Sequence, residues 1–111
     1  MIELLLRWCS SKEIFLKEIE QAIRLANCEV LGNRLKPITK DTILPLAVSV
    51  AKLRGDYLAE AFRLASSDRG RALKDEEING LKKYRQAYEE ARRAFEALTL
   101  AIDRGYVEVA E

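Results

Sequence analysis

Residues 43–65 constrain the fold of this chain more than any other stretch. Their only charged members are Lys52, Arg54, Asp56, Glu60 and Arg63. On a helical wheel at about 100° per residue, Ser49, Lys52, Asp56, Glu60 and Arg63 gather within roughly 80°. Nearly everything else around the circle is apolar or small. A surface helix normally carries an apolar stripe a little over ~100° wide, with polar residues elsewhere. Those proportions are inverted here, which predicts a central helix covered from several sides. Two sister helices cannot easily cover roughly 280° of apolar surface, so a homodimer about a twofold axis is expected. The surface assigned to that contact is Leu46, Val50 and Leu53, with Ile14 and Leu25 on the back of the first helix.

The first helix is marked by Phe15, Leu16, Ile19, Ala22, Ile23, Ala26 and Val30. It is expected over about 11–31, with Gly32 and Asn33 as a left-handed stop. Residues 2–8 read equally as an extension of that helix back to 2 or as a short strand, because a brief apolar run does not decide by periodicity. Ser10 with Glu13 has capping-box spacing, which would start a fresh helix at Ser11. Pro45 sets the expected start of the second helix. With Thr42 as N-cap, Pro45 is the third helical residue, whose N–H has no intrahelical partner anyway. With Thr39 as cap, Pro45 deletes a hydrogen bond and clashes with the preceding turn. The second helix is therefore expected over about 43–65.

The third helix, about 75–104, opens on an acidic first turn of Asp75, Glu76 and Glu77 that suits the helix dipole. Leu81, Tyr84, Tyr88, Ala91, Phe95, Leu98 and Ile102 alternate spacings of three and four, an a/d seam. Beside it Gly80, Ala87, Ala94 and Ala101 form a small-residue ridge that would admit a close partner helix. Gly105 ends the helix, and the tail at 106–109 is free to fold back. Three long helices with connections of roughly ten residues predict a single all-α domain, an antiparallel up-down-up bundle completed by dimerisation.

The chemistry is legible mainly by exclusion. The chain has 111 residues, no histidine and a formal net charge of +1. Without histidine the commonest general base and metal ligand are missing. Two cysteines supply neither a zinc set nor a Cys–His nucleophile. Gly70 and Gly80 stand alone, outside any phosphate loop. No catalytic, cofactor or metal residue is assigned, and an enzyme is not expected. If Cys9 and Cys28 share a helix they lie about 28 Å apart, too far for a disulfide; both read as reduced thiols in a cytoplasmic protein. Neither a membrane span nor a signal peptide is expected.

Positive signals are few. Arg69, Arg71, Lys74, Arg85 and Arg92 belong to a basic cluster suited to phosphate contacts, but six acids, among them Asp68, Asp75 and Glu77, share the stretch. Nucleic-acid binding is thus the runner-up to a self-associating interaction or scaffold protein, or a subunit of a larger assembly with a protein partner. A small-molecule-binding bundle is a third reading. Within the second helix Arg54 lies among Ala47, Val50, Leu58 and Ala61, where a charge needs a partner. Helix levels favour a buried ion pair with Glu20, within the chain or across the dimer; a carbonyl or the Tyr88 hydroxyl is the next choice, and an anionic ligand or partner carboxylate the third.

Overall fold

A computed structural model describes residues 1–67 and 69–110, without the side chain of Cys9. The expected thiol state of Cys9 and the acid Asp68 therefore lie outside the described residues. The protein is all-α. Helix α1 spans Ile2–Arg34, α2 spans Lys40–Ser66 and α3 spans Asp75–Asp103. Among the described residues, no helix is long and apolar enough to cross a membrane. The chain forms two compact units, one of Met1–Ile38 with Ala101–Ala110 and the other of Thr39–Leu100.

In the second unit α2 and α3 run antiparallel. Tyr57 of α2 stacks on Tyr88 of α3, with ring centroids 6.4 Å apart and planes 24° from parallel. Most of the seam expected from the three–four spacing is the covered side of α3: Leu81, Tyr88, Ala91, Phe95 and Leu98 are half-buried, while Tyr84 of the same seam is 42% exposed. Val50 and Leu64 of α2 are buried. Within one chain, however, α2 is not covered from several sides. Leu44, Val48, Leu58 and Phe62 are exposed, Phe62 to 72%. With the exposed Ala51 and Gly55 between them, they recur at three- and four-residue intervals along one bare face.

Helix α2 also starts earlier than expected, at Lys40. Thr39 and Thr42 form a reciprocal capping box. The Thr42 amide donates to Thr39 Oγ1 at 3.2 Å, and the Thr39 amide donates to Thr42 Oγ1 at 2.8 Å. Pro45 stands inside the helix, so the Asp41 carbonyl loses its i+4 donor. Both residues are exposed, where water can serve that carbonyl. Two cap bonds, each of order 1 kcal/mol, offset the loss.

In the first unit α1 is continuous from Ile2, so Ser10 does not begin a new helix. Gly32 and Asn33 do not end it either. Gly32 stays helical and the cap is Leu35, in extended backbone, whose amide donates to the Leu31 carbonyl at 2.8 Å. Pro37 supplies the real stop, because it disfavours helical backbone at the residue before it. Ile38 then forms a parallel bridge with Val109. Its amide donates to the Glu108 carbonyl, and its carbonyl accepts from Ala110, both at 2.8 Å. The tail does fold back.

Gly105 ends α3 as expected. Its φ of +72° is left-handed. The Tyr106 amide reaches the Ala101 carbonyl at 2.9 Å and the Gly105 amide the Ile102 carbonyl at 3.0 Å, the paired bonds of a Schellman stop. A Cβ on Gly105 would also sit 3.1 Å from Arg24 Nη2. These two glycines make opposite forecasts. Gly105→Ala should lower stability by about 1–2 kcal/mol, the left-handed penalty. Gly32→Ala, helical with open space around it, should raise it by up to about 1 kcal/mol. Denaturant midpoints of the two variants check both signs.

Candidate interaction surface

Along α1 every described side chain from Met1 to Ala26 is exposed. This includes the face expected to be inside. Leu5, Trp8, Phe15, Leu16, Ile19 and Ile23 fall within roughly 120° of the wheel. Trp8 is 66% and Phe15 60% exposed. The Lys12 ammonium lies 5.8 Å over the Trp8 ring, so the one charge in that stripe leans along an aromatic face. The unit holds α1 from another direction. Cys28 Sγ donates to the Gly105 carbonyl at 3.6 Å, and Arg24 abuts the same turn.

The five residues assigned to an oligomer contact separate. Ile14 and Leu25 are exposed, while Leu46 and Leu53 are half-buried. Val50 is only 8% exposed and belongs to the chain's own core, so it cannot line an outer surface. The apolar faces that are bare were missed because wheel geometry shows where apolar residues lie, not which of them a neighbour covers. Of the small-residue ridge, Ala101 is buried. Gly80 and Ala87 line an open cleft of about 460 Å³ with Leu53 and Tyr84.

The basic candidates are largely engaged with carboxylates. Arg71 forks onto Glu77, Nη1 to Oε1 at 2.8 Å and Nη2 to Oε2 at 3.0 Å. Arg85 pairs with Glu89 at 3.6 Å, and Arg92 with Glu96 at 2.6 Å. Arg69 is exposed with a left-handed φ of 48°. Lys74 is exposed, and its amide donates to Glu77 at 3.0 Å. The Arg71 hydrogen bonds first, and that amide second, hold the Glu77 carboxyl down at about 2. Glu60 is likewise held below the usual carboxylate range, chiefly by its hydrogen bond from Arg63.

Arg54 is exposed and bonds to Tyr88. Its Nε donates to the tyrosine hydroxyl at 3.2 Å, and its guanidinium carbon stands 5.3 Å from the ring centroid. The predicted buried pair with Glu20 rested on an apolar setting for Arg54 that the structure does not provide. Glu20 lies in the first unit, on an open cleft of about 520 Å³ lined also by Lys17, Arg24 and Asp103. With Arg104, three cations stand there against the carboxylates of Glu20 and Asp103, so the lining is mixed in sign with a small cationic excess. Among the described residues, no three acidic or cysteine side chains converge as metal ligands would.

Two outcomes follow from these pairs. Arg54→Ala should cost about 0.5–1 kcal/mol, the scale of an exposed cation–ring contact, not the 3–5 kcal/mol (approximately) of a broken buried pair; chemical denaturation distinguishes them. Glu77 has a folded pKa below its ordinary value of 4.5, so its contribution is full above that value and disappears as pH falls toward 2. The stability gap between wild type and Glu77→Gln should close over that window. A gap that ignores pH would contradict the Arg71–Glu77 fork.

No family model, no curated protein and no solved structure matches the chain.

Proposed function

We propose that the protein is a self-associating, non-enzymatic interaction or scaffold protein, a homodimer or a subunit of a larger assembly. It acts in the cytoplasm by presenting helix faces to other helices. One observation supports this above the rest. Among the described residues Val50, Leu64 and Ala101 are the buried ones, while Trp8, Phe15 and Phe62 are at least 60% exposed. Covering a side chain of that size contributes about 1.5–3 kcal/mol, and contiguous bare apolar surface marks sites of association. The three–four spacing of the bare faces fits coiled-coil-like pairing.

The nucleic-acid reading is weaker on this structure, because Arg71, Arg85 and Arg92 already hold carboxylates. A ligand-binding bundle needs a pocket that buries most of its ligand; the clefts here open to solvent. Sedimentation equilibrium tests the proposal. The mass should be a multiple of 12.7 kDa at micromolar concentration, and dissociation should be insensitive to salt. A monomer across that range would refute it.

A further inference from the structure

We propose that the apolar stripe of α1 docks on α1 of a second copy of this chain, the two helices running antiparallel. The inference rests on the self-association reading and names its interface. Leu5, Trp8, Lys12, Phe15, Ile19, Ala22 and Ala26 succeed one another at three and four residues, a heptad seam. Leu16 and Ile23 widen it on one side. The chain's own grip on α1 leaves this seam alone. Arg24 and Cys28, which meet the Gly105 turn, lie roughly 140–180° from the centre of the stripe.

Length, area and charge select the occupant. The stripe extends over residues 1–30, about 44 Å of helix. The bare face of α2, residues 44–62, offers only about 27 Å, so of the two bare faces only that of a second α1 covers the stripe from end to end. Leu5, Trp8, Phe15, Leu16, Ile19 and Ile23 are 42–66% exposed. At roughly 100 Å² each, half of what a large side chain buries, and with Leu4 and Val30 at the edges, they approach the ~800 Å² one partner gives a stable interface.

Lys12 sets the direction. It is the seam's only ion and occupies a core position, the kind of residue that fixes register at some expense of affinity. Parallel helices in register would place Lys12 against Lys12. Antiparallel helices centred near residue 15 place it level with Glu18 and Ile19 of the second copy. The same register sets Leu5 and Trp8 level with Ala26 and Ala22, bulky against small.

The test uses the full chain. Phe15→Glu and Ile19→Glu should weaken association at least 100-fold, with helical circular dichroism retained because both positions are exposed. Leu58→Glu, on the bare face of α2, should leave it unchanged, and Lys12→Leu should tighten it. Direction is read by disulfide formation in a Cys9→Ser, Cys28→Ser background. Leu5→Cys and Ala26→Cys should each fail to cross-link alone and succeed when mixed. Homotypic cross-links would overturn the antiparallel arrangement. Association that survives Phe15→Glu and Ile19→Glu would overturn the α1 interface while leaving self-association intact; a monomeric wild type would instead remove the reading beneath it.

Discussion

Apolar surface on a helix is stable only when something covers it, and in this chain cover is scarce. The α2–α3 contact depends on a single seam, where Tyr57, Tyr88 and the half-buried residues of α3 meet. Each side chain that another helix covers adds about 1.5–3 kcal/mol, against a backbone ordering cost of about 1–2 kcal/mol per residue. Long helices with one covered side have little margin. The bare faces of α1 and α2 are thus the largest stabilisation still open to the molecule.

The polar surface reinforces this division. Arg63 with Glu60, Arg85 with Glu89, and Arg92 with Glu96 sit three or four residues apart on one helix. Such pairs contribute only about 0.2–0.5 kcal/mol each. Their larger effect is neutralisation. A cation matched locally attracts polyanions and acidic partners less strongly, which gives shape and apolar area more weight in what binds.

How far the sequence foretold the structure depends on the physics involved. The seam of α3 and its end at Gly105 were legible, because spacing reports a helix face and a left-handed stop favours glycine. At Pro45 the steric rule points to a later start, but the Thr39–Thr42 cap has an energy of similar size. Gly32 misled because glycine permits a stop without compelling one; the proline five residues on does compel it. Arg54 was read from wheel neighbours on its own helix, whereas its environment is set by Tyr88 across the hairpin. Coverage was the least legible property. Ile19 and Leu81 look alike in sequence, yet one is exposed and the other half-buried.

The clasp between Ile38 and Val109 has a consequence for the order of assembly. The Arg54–Tyr88 contact joins residues 34 apart, whereas Cys28 and Gly105 are separated by 77. Closing the longer loop costs only about 0.7 kcal/mol more, but it must await chain that is synthesised much later. Helix α1 therefore leaves the ribosome well before the turn and tail that grip it exist.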